Sequence, residues 1–198
     1  MSIDPALEAA YNVRAAIPDH PAIFARWREA SAQWREGHPP VVHAYGATSA
    51  ETLDFFSAGH GAPLQVFLHG GYWQALGKRD FSYIAAPWVE HGVSVAVVDY
   101  ALCPAVSLDE IVAQVRRALL WLHRHAAALH FNARRIQVSG HSAGGQLVGM
   151  LLATDWANHQ DWTDWVAESR VPNLSPLQSA VSISGLFDLE DRKSTRLN

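Results

Sequence analysis

The pentapeptide Gly140-His141-Ser142-Ala143-Gly144 flanks a serine with glycines two positions away on either side. It follows the apolar run Ile136-Gln137-Val138 and precedes a helix-like segment from about Gly144. A serine on a sharp strand-to-helix turn sits in a strained backbone conformation, and side chains two positions away would collide with neighbouring backbone. The turn lifts the Ser142 hydroxyl clear of the sheet, as a nucleophile requires. It also sets the Ala143 N–H at a helix N-terminus, where unpaired donors and the helix dipole favour a developing oxyanion. A packing turn with an incidental serine is the competing reading, and the strand and helix flanks weigh against it.

A second constellation, His69-Gly70-Gly71-Tyr72-Trp73, follows the strand-like run Leu64–Leu68. Two glycines let the backbone pass close to a substrate carbonyl, so the N–H groups of Gly70 and Gly71 can complete an oxyanion hole with that of Ala143. His69 reads as a hydrogen-bonded brace of this loop and not as a catalytic base. Tyr72 and Trp73 are the candidate substrate-binding residues, walling a pocket, with burial against the sheet as the alternative.

Nucleophilic attack by Ser142 also needs a base, normally a histidine oriented by Asp or Glu. Only His159 follows Ser142, in an irregular Trp/Asp-rich stretch, and it reads as a solvated surface histidine. The carboxylates downstream of Ser142 are Asp155, Asp161, Asp164, Glu168, Asp188, Glu190 and Asp191. His123 and His125 fall at a helix C-terminus, where their positive forms would interact favourably with the dipole. Cys103 reads as a buried small residue, and Asp99-Tyr100 as a brace at the site edge. The histidines are scattered without metal-ligand spacing, so no metal and no other cofactor is expected.

The elements that must position these residues alternate in type. Pro21, Ile23, Phe24, Trp27, Ala30 and Trp34 give helical spacing up to Gly37, and Val41–Tyr45 with Leu53–Phe56 suggest a hairpin at a sheet edge. Apolar runs at Leu64–Leu68, Val93–Val98, Ile136–Val138 and Ala180–Ile183 read as buried strands. Helix-like segments at about Phe81–His91, Leu108–His125 and Gly144–Thr154 separate them, and Trp156–Pro176 reads as a helix plus loop. This alternation predicts an α/β fold, a doubly wound and mostly parallel sheet with helices on both faces. The balance of 15 Lys+Arg against 19 Asp+Glu leaves no basic excess for a nucleic-acid partner. One cysteine excludes an internal disulfide, and no stretch approaches the ~20 apolar residues of a membrane span. The expected setting is cytoplasmic, with a small-molecule substrate, no nucleic-acid or membrane partner, and a homodimer as a compatible assembly.

The segments HGGYWQ at His69–Gln74, VVDYALCPAVSLDEIVAQVRRALLWLHRH at Val97–His125 and GHSAGG at Gly140–Gly145 resemble the α/β-hydrolases of the hormone-sensitive-lipase-like group. Within that group the chain looks like the arylformamidases (kynurenine formamidases), with a weaker likeness over Tyr11–Trp27. The resemblance runs to about Leu189. It implies hydrolysis of an N-formyl arylamine such as N-formylkynurenine, or of a small ester, through a Ser142 acyl-enzyme. A non-catalytic hydrolase-like binding protein is the reading from a different class. The family places its acid and histidine after later strands, so the resemblance implies that none of the carboxylates from Asp155 to Asp191 is the acid and that Asp188 is structural. Asp191–Asn198 back-translate to a common sequencing-adapter read. The expectation is therefore a hydrolase domain over 1–190, with a helical segment 1–40, incomplete at its C-terminus and followed by an artefactual tail over 191–198.

Overall fold

The computed structural model describes residue 6 and residues 12–169 and 174–188; Tyr11, Glu190 and the octapeptide Asp191–Asn198 lie outside them. Six strands are present among the described residues: β1 Val41–Ala44, β2 Thr52–Phe56, β3 Ala62–Leu68, β4 Ser94–Val98, β5 Phe131–His141 and β6 Ser179–Ile183. They form one sheet in the order β1-β2-β4-β3-β5-β6. β4, β3, β5 and β6 run parallel, while β1 and β2 form the antiparallel pair at the edge. The helices are α1 Val13–Ala16, α2 His20–Gly37, α3 Ala85–Glu90, α4 Leu108–His125, α5 Ala143–Leu152 and α6 Gln160–Ser169.

The central strands are continuously apolar because both of their faces are covered. Leu64, Val66, Leu68, Ala96 and Val98 point to one face and meet Ile111, Val115, Leu119 and Leu122 of α4 and Leu147, Val148 and Leu151 of α5. Phe67, Val95 and Val97 point to the other, against Trp27 and Trp34 of α2 and Trp88 and Val89 of α3. The expected doubly wound, mostly parallel sheet is therefore present. None of the described helices is long and apolar enough to cross a membrane.

Two elements differ from the sequence reading for local reasons. The segment from Phe81 to His91 is a 3-10 turn, Ser82–Ile84, followed by α3. Pro87 lacks an N–H and is tolerated only in a first turn, so the α-helix proper starts close before it. β5 begins at Phe131, ahead of Ile136, where it pairs with Ala62 of β3; Asn132, Arg134 and Arg135 interrupt the apolar run that would mark this early part in sequence. Its early part pairs with β3 across a register shift between Ala62 and Leu64.

One buried charge cluster ties α2 to the site side of the sheet. Asp54 of β2 is fully buried and pairs with Arg35 of α2 and, at 3.2 Å, with Lys78 Nζ. Lys78 Nζ also donates to Thr52 Oγ1 at 2.7 Å. A buried carboxylate needs such compensation, and the pairing fixes the turn Lys78–Asp80 beyond the His69–Trp73 loop.

His123 corrects an expectation. It is not a cation serving the end of α4: only 3% exposed, it lies against Trp162 and Trp165 of α6 and donates from Nε2 to the Pro176 carbonyl at 2.7 Å. Burial pushes its pKa down to about 4, only partly offset by that hydrogen bond, so the folded imidazole is neutral at pH 7. His125 instead stacks on Trp121 at 3.9 Å. In the unfolded chain His123 would take up a proton near pH 6.5, whereas the folded chain resists until about pH 4. The unfolded state thus binds more protons across this window, and stability falls as pH drops from 6.5 towards 4. At about 1.4 kcal/mol per pH unit the loss reaches up to about 3 kcal/mol. Urea midpoints measured from pH 7.5 to 4 should show this decline, and His123→Gln should flatten it.

Candidate active site

Ser142 stands between β5 and α5 with φ 57° and ψ −116°, a positive φ that side-chain-bearing residues rarely adopt. The flanking glycines are required by contact. A Cβ on Gly140 would lie 2.3 Å from the Gly144 carbonyl oxygen, and one on Gly144 would lie 2.0 Å from the Leu68 oxygen and 2.6 Å from that of His69. The turn is pinned by the Ser142 N–H donating to Ile183 O at 2.8 Å and by the Gln146 N–H donating to Ser142 O at 3.0 Å.

The His69–Trp73 loop passes directly over this turn. A Cβ on Gly70 would fall 2.8 Å from the His141 oxygen and 3.3 Å from Ser142 Cβ. Gly71 has φ +119°, and its Cβ would fall 1.9 Å from Ala75 O. The structure therefore brings Gly70 against Ser142 and its neighbour Ala143, with Gly71 next in the chain and turned against Ala75. Among the described residues no backbone or side-chain acceptor takes the N–H of Gly70, Gly71 or Ala143, although Gly70 and Ala143 are buried. Buried amides normally find partners, so the free N–H groups of Gly70 and Ala143 stand out beside Ser142. Ser142 Oγ likewise makes no hydrogen bond among the described residues.

His69 is fully buried, and its Nδ1 donates to Gly70 O at 2.7 Å, which makes it the brace expected from the sequence. Its Nε2 lies 3.5 Å from Asp99 Oδ1. Asp99 Oδ1 in turn accepts the Lys78 N–H at 2.6 Å. The Asp99 carbonyl accepts the Tyr45 hydroxyl at 2.6 Å, a contact that the sequence did not signal, because Tyr45 lies in the distant hairpin segment.

The remaining candidates separate in space. Tyr72 is half-buried and Trp73 wholly buried in the core, with ring centroids 5.9 Å apart and positive φ at both residues. Trp73 therefore faces the interior, and its Nε1 has no partner among the described residues. His159 lies against Trp156, and its carbonyl accepts the N–H groups of Trp162 and Thr163 at the start of α6. Asp155 and Asp164 bond to Asn158 and Gln160 of their own segment, and Asp188 is exposed. Cys103 is half-buried, and burial raises its thiol pKa, which suppresses the nucleophilic thiolate. Among the described residues no group of three or more His, Cys, Asp or Glu is arranged to hold a metal ion.

Comparison with known proteins gives this geometry a context. The BD-FAE family matches residues 56–197. The kynurenine formamidase of Danio rerio is 33% identical over 161 residues, covering 78% of this chain and 48% of its own length. The carboxylic ester hydrolase LipN of Mycobacterium tuberculosis is 33% identical over 136 residues, covering 60% of this chain and 36% of its own. The chain thus spans about half the length of the formamidases it matches. A crystal structure of a proposed thioesterase from Silicibacter sp. tm1040 superposes with a TM-score of 0.76 at 30% identity, covering 97% of this chain and 68% of the other. The mixed, mostly parallel sheet is that of an α/β-hydrolase, distantly related to formamidase- and esterase-type proteins. Within that superfamily, the chain belongs to the BD-FAE family.

Proposed function

We propose that this chain carries the nucleophile and oxyanion hole of a serine hydrolase that cleaves a small acyl group, an N-formyl arylamine such as N-formylkynurenine. The observation that carries the reading is the set of free N–H groups at Gly70, Gly71 and Ala143 around the strained Ser142. Ser142 Oγ attacks the formyl carbonyl, its proton passing to a general base, and the negative oxygen of the tetrahedral intermediate accepts from the three amides. Collapse expels the arylamine, which takes a proton, and leaves formyl-Ser142; water then hydrolyses this ester to formate and regenerates the serine. Donors fixed before the reaction need no reorganisation as charge develops, which is why a stiff turn suits the task. None of the described histidines bonds to Ser142, and the reading assigns no residue as the base. Tyr72, half-buried beside the glycines, borders the substrate.

The formyl specificity draws its support from the formamidase relatives. A carboxylesterase acting on small esters is the second reading, favoured by the likeness to LipN. A non-catalytic binding protein is the reading from another class. Steady-state assays of the natural full-length protein on N-formylkynurenine and p-nitrophenyl acetate separate them. The formamidase reading predicts kcat/KM at least about tenfold higher for the formamide. The reverse order makes the protein an esterase, and turnover of neither supports the binding protein.

A further inference from the structure

Tyr100 follows the C-terminal end of β4 and is only 3% exposed. Its hydroxyl donates to the His69 carbonyl at 2.6 Å. Its ring stacks on the His69 imidazole with centroids 4.3 Å apart and planes 8° from parallel. Phe81 stacks on the same imidazole at 6.0 Å and 12°. The His69 carbonyl belongs to the peptide whose N–H is that of Gly70, and the Gly70 carbonyl, held by His69 Nδ1 at 2.7 Å, belongs to the peptide whose N–H is that of Gly71. A trans peptide is planar with its C=O and N–H opposed, so anchoring an oxygen aims the hydrogen at its other end.

We propose that Tyr100 is a positioning residue for the oxyanion-binding turn: its hydroxyl fixes the His69–Gly70 peptide, and its ring holds the imidazole that fixes the Gly70–Gly71 peptide. This rests on the serine hydrolase reading above. Two successive amides of the loop that passes over Ser142 are each tied at the carbonyl end by one member of a stacked, buried pair. Burial pushes the Tyr100 phenol far above its usual pKa, so the hydroxyl stays protonated and remains a donor throughout the working pH range. Glycine backbone is otherwise the most free to turn, and a pair of glycines without such anchors would sample orientations that point the donors away from the developing charge.

The test is Tyr100→Phe in the natural full-length protein, which keeps the stacked ring and removes the hydroxyl. Donors that act in the transition state should appear in kcat, with a loss of about tenfold or more and KM within about threefold of wild type. Placing p-aminophenylalanine at position 100 restores an N–H donor at the same place and should recover most of the loss. Should Tyr100→Phe not fold, p-methylphenylalanine fills the hydroxyl volume without donating and should show the same kcat defect. Wild-type kcat in either folded, non-donating variant overturns the proposal, as does a change confined to KM or a defect that p-aminophenylalanine leaves unrepaired. Ser142→Ala, run in parallel, separates the layers: full activity there sinks the hydrolase reading itself, whereas an inactive Ser142→Ala beside a fully active Tyr100→Phe sinks only the role of Tyr100.

Discussion

Ser142→Ala should lower kcat by at least about a thousandfold on whichever acyl substrate proves best, with the fold intact. Removal of a serine nucleophile leaves only the catalysis that the oxyanion donors and substrate binding supply. Ser142 Oγ makes no hydrogen bond among the described residues, so its loss breaks no structural contact. The thermal midpoint should stay within about 2 °C of wild type, since a substitution without lost contacts costs little. Steady-state kinetics and a thermal scan of the same preparation check both halves. Activity falling together with the midpoint would point to misfolding, and unchanged kcat would remove Ser142 from the chemistry.

Gly144→Ala should be severe for a different reason. Its methyl would stand 2.0 Å from the Leu68 carbonyl oxygen and 2.6 Å from that of His69. Both are backbone atoms at the end of the central strand β3, with no flexible side chain that could swing away. Either α5 shifts outward or the His69–Trp73 loop is displaced. The overpacking cost is about 3 kcal/mol, corresponding to about 6–12 °C in Tm for a chain of this size. The displacement also moves the Ala143 N–H relative to Gly70 and Gly71, so activity should fall even well below the new midpoint. Gly37→Ala is the control: a Cβ there meets nothing within 4 Å, and the last turn of α2 should tolerate it or gain slightly in helix propensity. Thermal scans of the two variants side by side test whether the site glycines are needed by contact or merely tolerated.

The sequence carried the centre of this site because each part of it is local. Gly140 and Gly144 bracket Ser142 within one turn, Gly70 and Gly71 follow a strand, and the flanking apolar runs identify the elements that hold them. The same locality made the edge hairpin and the parallel strands readable. What the sequence did not carry depends on packing between distant segments. Helical position suggested a charged His123, but Trp162 and Trp165 cover it and make it neutral, a fact of tertiary contact alone. Tyr72 and Trp73 are adjacent in sequence and looked alike, yet the chain turns between them at positive φ and sends only Trp73 into the core. Tyr45 reaches Asp99, and the Ser182 hydroxyl reaches the Gly145 carbonyl at 3.0 Å, without any motif to announce either contact. The long β5 was obscured by Asn132, Arg134 and Arg135, which are tolerated where the strand leaves the covered part of the sheet.

On the proposed mechanism Ser142 attacks the acyl carbon while the neighbouring amides hold the oxyanion. The most direct measurement of this is to incubate the natural full-length protein with an aryl-leaving-group phosphonate and map the modified residue by peptide mass spectrometry. A phosphonate bound to serine presents its anionic oxygen to the same donors as the tetrahedral intermediate, so it reports nucleophile and oxyanion hole together. The expected result is a single adduct on Ser142, activity lost in proportion to labelling, and no adduct in Ser142→Ala. An adduct on another residue that tracks the loss of activity, or hydrolysis that continues undiminished with Ser142 fully labelled, would contradict the mechanism.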